Sequence, residues 1–150
     1  MNIAIVAVDK LREPYARTGC ALYLERLGRY YGVTVIETRK ETGASAVVLE
    51  GRAILERIDD DDVVWALDRI GVALSSTDLA RRIGDVERSG KRRLVIAIGG
   101  PDGLDESVLA RADLRWSLSP LTFLHEMARL IAFEQLYRAA KIGRGEPYHR

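Results

Sequence analysis

The sequence predicts an α/β protein: one domain, a parallel-type sheet and helices on both of its faces. Three observations predict it. Short apolar runs alternate with helix-patterned segments along all 150 residues. Those runs are apolar at consecutive positions, as in strands covered on both sides, rather than at every second position. The length suits one hydrophobic core, and no linker or internal repeat divides the chain.

The elements follow in order. Asn2–Val8 is the first buried strand. Ala16, Cys20, Tyr23, Leu27 and Tyr30 then recur at steps of four and three, a helical stripe with Pro14 in its first turn and Gly32 at its stop. Val33–Glu37 reads as the second strand, and 38–44 as a polar loop around Gly43. A second helix spans 45–58, ended by four adjacent carboxylates, Asp59–Asp62, which repel one another and oppose the helix dipole. The third strand, Val63–Leu67, closes on Asp68, and 69–74 reads as a connector. Ser75 is an N-cap with Asp78 three positions on, and the helix it starts ends near Ser89-Gly90. Leu94–Ile98 is the fourth strand, and Gly99–Gly103 a tight turn. A short helix over 105–111 precedes the brief strand Leu114–Ser117. The loop 118–122 opens the longest helix, 123–142, and 143–150 is a tail.

Composition excludes several classes. Charged residues make up 30% and hydrophobic ones 47%, a globular mix rather than a disordered one. The single cysteine, Cys20, permits neither an intrachain disulfide nor a cysteine-based zinc cage, and it reads as core. With only His125 and His149, no histidine-rich metal site is expected, and no metal is called for. No apolar run reaches membrane-spanning length and no signal peptide is visible, so the expectation is a soluble cytoplasmic protein with no membrane partner. The net charge of +1 hides segregation. Residues 10–40 hold seven basic and three acidic side chains; residues 41–68 hold two and eight. The Asp59–Asp62 run lacks calcium-loop spacing and reads as a solvated turn. Lys91-Arg92-Arg93 reads as a solvated edge, with a phosphate contact as the alternative.

In open α/β sheets, ligands bind beyond the C-terminal ends of the strands. Three such ends stand out: Leu67-Asp68, Gly99–Gly103 and 117–122. Neither G-x-x-x-x-G-K-[ST] nor G-x-G-x-x-G occurs, so the usual phosphate cradles are missing. Glycines after a strand let a ligand approach main-chain amides, and a plain tight turn is the other reading. The loop holding Ser117, Ser119, Pro120, Leu121 and Thr122 suits either an apolar ring or a helix start. His125, at the start of the last helix, reads as structural, a cap. The tail Glu146–Arg150 is either loose or folded over a site, where it would bring an aromatic ring, an imidazole and a guanidinium to one substrate.

Taken together, several segments resemble one family. They are Val8-Asp9-Lys10 through Tyr15, Gly19 and Tyr23–Leu27; Leu67-Asp68, Leu74–Ser76 and Leu79-Ala80; and Ile98–Gly103. Trp116–Thr122, His125, Ala128-Arg129, Glu134–Ala139 and Pro147–Arg150 complete the pattern. The chain resembles the bacterial 23S rRNA (pseudouridine-N3-)methyltransferases of the SPOUT superfamily over essentially its whole length. The resemblance implies a SPOUT-like sheet with a C-terminal trefoil knot and S-adenosyl-L-methionine as cofactor. It also implies a homodimer whose active site borrows from the partner subunit, and a pseudouridine of 23S rRNA within the assembled ribosome as acceptor. Carried over by position, the cofactor contacts are Leu67, Gly100, Ser119, Pro120, Leu121, Thr122, Phe123 and Leu124. RNA-side residues are Arg138, Tyr148 and Arg150, and the catalytic candidates are His149 and Arg138. Two positions depart from the pattern: Asp9 stands for a glycine and Leu124 for the proline before His125. A knotted methyltransferase acting on tRNA or another rRNA site, and a non-catalytic ribosome-binding module, are the alternatives.

Overall fold

In a computed structural model of the protein, residues 1–148 are described. Ten elements alternate: β1 (Asn2–Val8), α1 (Pro14–Leu27), β2 (Gly32–Thr38), α2 (Ala46–Leu55), β3 (Val63–Ala73), α3 (Ser76–Arg88), β4 (Arg93–Ile98), α4 (Glu106–Arg111), β5 (Leu114–Ser117) and α5 (His125–Gly143). The strands form one sheet in the order β2-β1-β4-β3-β5, and every pairing is parallel.

Because side chains alternate across a strand, each central strand feeds two apolar layers. Ile3, Ile5, Ile96, Trp65 and Trp116 pack against α1, α3 and α5 on one face. Ala4, Val6, Val64, Val95 and Ala97 meet Ile54 of α2 and Val108 of α4 on the other. The consecutive apolar runs of the sequence are thus strands buried on both faces. Cys20 and both tryptophans lie in the larger layer, the indoles edge-on at 6.5 Å. Ser75 accepts from the Asp78 N–H as an N-cap.

Four readings change. First, α1 ends at Leu27 with Gly28 as its C-cap, whereas Gly32 opens β2. A Cβ on Gly32 would lie 2.4 Å from the side-chain Oδ1 of Asn2, its partner on β1. Second, residues 69–73 are not a connector. β3 continues to Ala73, with Leu67 and Val72 both in register with Trp116 across a bulge. Gly71 permits this, since a Cβ there would come within 2.3 Å of the Arg115 carbonyl oxygen. Third, α5 begins at His125, so His125 is not the cap; Leu124 holds that position without a side-chain acceptor. Leu124 sits at φ −55°, ψ 138°, angles that a proline ring also adopts. Fourth, the aspartate run is not wholly solvated. Asp62 is buried, accepting from Arg93 Nε at 2.8 Å and from the Asp59 N–H at 2.7 Å. Arg93 also pairs with Asp59, and Lys91 donates to the Asp61 carbonyl, so two of the three basic side chains are engaged at the N-terminal edge of the sheet.

Candidate functional site

At the opposite edge, the C-terminal ends of β3, β4 and β5 enclose a cavity of about 400 Å³. Such a volume suits a small-molecule ligand. Three segments build its walls: Leu67–Arg69 from β3, Ile98–Leu104 from β4 and the turn after it, and the loop between β5 and α5. These are the three strand ends that the sequence singled out.

Local geometry explains each wall. In the glycine turn, the Gly103 N–H donates to the Gly100 carbonyl at 3.0 Å, and Gly103 lies at φ +80°. A Cβ on Gly99 would stand 2.5 Å from the Gly103 carbonyl carbon, so only glycine lets the turn close. On β3, Asp68 is paired with Arg115 of β5 at 2.7 Å, which leaves its carboxylate engaged. Ser117 Oγ donates to the Arg69 carbonyl at 2.9 Å and ties the bulge to the next loop. Ser119 Oγ accepts from the Leu121 N–H at 3.1 Å, curling that loop. The lining mixes apolar residues, among them Ile98, Leu104, Trp116 and Phe123, with polar ones such as Asp68, Asp102, Thr122 and His125.

Of the residues expected at a cofactor, Leu67, Gly100, Ser119, Leu121, Thr122 and Phe123 line the cavity. Pro120 and Leu124 belong to the same loop but are not in its wall, and Leu124 is 68% exposed. His125 and Ala128, from the first turn of α5, line it too. Arg69, Leu109 and Ala128 were not anticipated as wall residues. The i, i+3 step from His125 to Ala128 at a helix start was the available signal for one of them.

The first turns of α5 also fix the loop after β1. Glu126 accepts from the Arg12 and Glu13 N–H groups and so caps α1. Burial pushes its carboxyl upward, but these two N–H groups overcome that and hold it below its ordinary value. The buried Arg129 donates to the Asp9 carbonyl at 2.6 Å and pairs with Glu37 at 3.3 Å. Asp9 takes the left-handed φ of +68° that glycine favours, with Oδ1 accepting from the Lys10 N–H.

Arg138, one of the two catalytic candidates, lies elsewhere. Arg138 donates Nε and Nη2 to Glu134 Oε1, at 3.0 and 2.7 Å, and its guanidinium stands 3.7 Å from the centroid of the Tyr148 ring. The Tyr148 hydroxyl donates to the same Glu134 oxygen. Burial and that carboxylate push the Tyr148 hydroxyl up to about 12. Glu146 accepts from Tyr30 Oη at 2.7 Å and pairs with Lys141. The tail through Tyr148 is thus folded back onto α1 and α5. Sequence reasoning missed Glu134 as its anchor, although the i, i+4 spacing to Arg138 carried a signal. His149 and Arg150 lie outside the described residues. Arg138 is thirteen residues beyond His125, about 20 Å along α5, and neither Arg138 nor Tyr148 lines the cavity.

The described residues include no group of three or more potential metal ligands and no helix long and apolar enough to cross a membrane. A parallel sheet covered on both faces, with a glycine-walled cavity at its C-terminal edge, defines an α/β protein with its cavity where this class places ligands. A family model described as "Predicted SPOUT methyltransferase" matches residues 1–149, and the chain belongs to that SPOUT methyltransferase family. Among its relatives is Ribosomal RNA large subunit methyltransferase H of Moorella thermoacetica, 43% identical over 159 aligned positions, spanning 100% of this chain and 99% of that protein. The protein of the same name from Clostridioides difficile is 40% identical, with both chains fully covered. Among solved structures, a probable methylase family protein from Haemophilus influenzae aligns at a TM-score of 0.57 and 15% identity, covering 99% of this chain and 70% of that one. TrmJ from Z. mobilis aligns at 0.55 and 15%, covering 100% and 73%. At that identity the likeness speaks for the fold, which is the α/β fold of these methylases.

Proposed function

We propose that this protein methylates N3 of a pseudouridine in 23S rRNA on the assembled ribosome. It does so as a cytoplasmic, single-domain homodimer with a C-terminal trefoil knot and S-adenosyl-L-methionine as methyl donor. The observation that carries the reading is the cavity at which the glycine turn, Leu67 and the loop after β5 converge. Its chemistry fits that donor. The close-packed glycines and the mixed apolar and polar lining suit a nucleoside, and the lack of a phosphate cradle matches a ligand without phosphate. Leu67, Gly100, Ser119, Leu121, Thr122 and Phe123 would hold it, with Pro120 and Leu124 shaping the loop. When bound, S-adenosyl-L-methionine supplies a methyl group made electrophilic by its sulfonium, so no metal is needed.

The acceptor nitrogen is an imide N–H, mostly protonated at neutral pH. The protein's task is to hold that nitrogen in line with the methyl carbon and to assist loss of its proton. His149 accepts the proton in this reading. Arg138 and Arg150 stabilise the resulting negative charge or grip phosphate, and Tyr148 stacks on the RNA side. The position of Arg138 and Tyr148, well along α5 from the cavity wall of their own chain, supports an active site completed by a second subunit.

Incubating the purified protein with labelled donor and intact ribosomes from a strain lacking the gene tests the proposal. Nucleoside mass spectrometry should find one new methylated pseudouridine in 23S rRNA, with free rRNA and tRNA unmodified. Label in tRNA but not in ribosomes would refute the substrate; donor binding by calorimetry with no transfer at all would refute catalysis.

A further inference from the structure

A second cleft, of about 470 Å³, opens at the C-terminal ends of β1 and β2. Lys10, Arg12, Arg39 and Lys40 line it, together with Asp9, Glu37 and Thr38. Both carboxylates are engaged: Asp9 with Arg12 at 3.3 Å, Glu37 with the buried Arg129. Among the described residues, Lys10 and Lys40 have no ion-pair partner, and Arg39 touches only Glu41 at 4.0 Å. Four basic side chains thus face two carboxylates in the cleft wall. Thr38 is 7% exposed, and its hydroxyl has no hydrogen-bond partner. The other buried side-chain polar atom without a partner among the described residues is Nε of Arg129. That side chain holds Asp9 and Glu37, so both orphans belong to one small region. Buried groups of this kind are rare because each costs stability, and an anion at the cleft gives the hydroxyl an acceptor.

We propose that this cleft is a phosphate site that takes one backbone phosphate of the RNA carrying the acceptor nucleotide. The Thr38 hydroxyl, turned about χ1, donates to a phosphate oxygen, and Lys10 and Lys40 supply charge. The location argues for a phosphodiester rather than a free anion. Strand order puts the cleft on the same sheet edge as the methyl-donor cavity, about 12 Å across the sheet. The first turns of α5 join the two: His125 and Ala128 line the cavity, while Glu126 and Arg129 hold the loop bearing Lys10 and Arg12. The proposal names a contact for the rRNA substrate and so rests on that reading of function.

The test uses the full chain, its Lys10→Gln/Lys40→Gln double variant and Thr38→Val. Isotope-labelled protein is titrated with a uridine trinucleotide and, separately, with inorganic phosphate, following the amide resonances of Thr38 and Lys40. Steady-state methylation of ribosomes is measured alongside. The trinucleotide should move both resonances. The double variant should raise KM for ribosomes about tenfold and flatten its salt dependence by at least one unit of slope, with kcat and donor affinity unchanged. Thr38→Val should weaken the trinucleotide response and raise Tm, since an orphaned hydroxyl is removed. Unchanged KM and salt slope in the double variant, or still resonances with the trinucleotide, would overturn the proposal. A response to inorganic phosphate alone also overturns it, in favour of a free-phosphate site. If the wild type methylates no ribosome, the functional reading fails, while the titration still judges the cleft.

Discussion

Asp9 stands at φ +68°, where a side chain with a Cβ costs about 1 kcal/mol relative to glycine. Asp9 offsets that cost locally, by accepting from the Lys10 N–H at 2.9 Å and pairing with Arg12. Asp9→Ala keeps the strain and loses the compensation, so it should lower unfolding stability by about 1–2 kcal/mol. Asp9→Gly loses both strain and compensation and should lie about 1 kcal/mol above the alanine variant; urea denaturation compares the two. Cys20 makes a second case. Burial pushes its thiol from 9.0 up to about 11, so the fold keeps it neutral where the unfolded chain ionises. A raised pKa of this kind stabilises fully below pH 9 and is lost as pH climbs to 11. Stability should fall by about 2 kcal/mol across that window, and Cys20→Ala should flatten the decline whatever it costs at pH 7.5. Buried Cys20 was legible from a helical stripe of apolar residues. For Asp9 the only signal was the resemblance, in which a glycine holds its place; by itself aspartate is equally at home in ordinary turns.

At the scale of elements, the glycine turn ties local geometry to the ligand. A Cβ on Gly99 meets the Gly103 carbonyl carbon and oxygen at 2.5 Å and the Leu104 nitrogen at 3.0 Å, all main chain. Nothing flexible can yield there, so Gly99→Ala should open the turn, lower stability by about 2–3 kcal/mol and weaken donor binding at least tenfold in calorimetry. Gly143→Ala is the control. It ends α5, with nothing within 4 Å of the added Cβ, and should gain a few tenths of a kcal/mol with donor binding unchanged. The order of all ten elements was readable, because consecutive apolar runs and 3.6-residue stripes are properties of short segments. The continuation of β3 through Ala73 was not. It depends on Gly71 meeting Arg115 and on Ser117 bonding to Arg69, contacts between segments some 45 residues apart. The same holds for Arg93, whose aspartate partners come from the turn between α2 and β3.

For the molecule as a whole, the decisive feature is where apolar surface remains uncovered. Ile70 is 71% exposed, Leu121 70% and Leu124 68%, with Val72 and Met127 also open. All five sit on β3, the 118–124 loop or the first turn of α5, the segments that border the cavity. Tyr15 and Leu22 of α1 and Val48 and Leu49 of α2 are exposed too, but the group beside the cavity holds the most exposed three, and it is the face on which the proposed homodimer would form. A second copy of this chain meets two needs at once. In the proposed homodimer it would bury that surface and would bring another α5, with Arg138 and Tyr148, to a cavity that its own Arg138 and Tyr148 do not line. Ile70→Glu with Leu124→Glu places charges on this face without touching the core, so the fold should survive, as judged by circular dichroism and Tm. Sedimentation should then report a monomer, and methyl transfer to ribosomes should fall at least a hundredfold. Mixing it with a variant of intact face that lacks Arg138 should restore nothing, because the charged copy cannot dock. By contrast, pairing Arg138→Ala with a Gly99→Ala chain should recover part of the activity, since one mixed cavity would keep both its glycine turn and its arginine. Recovery in the first mixture, or a dimer that persists despite both glutamates, would show that the contact lies on another face.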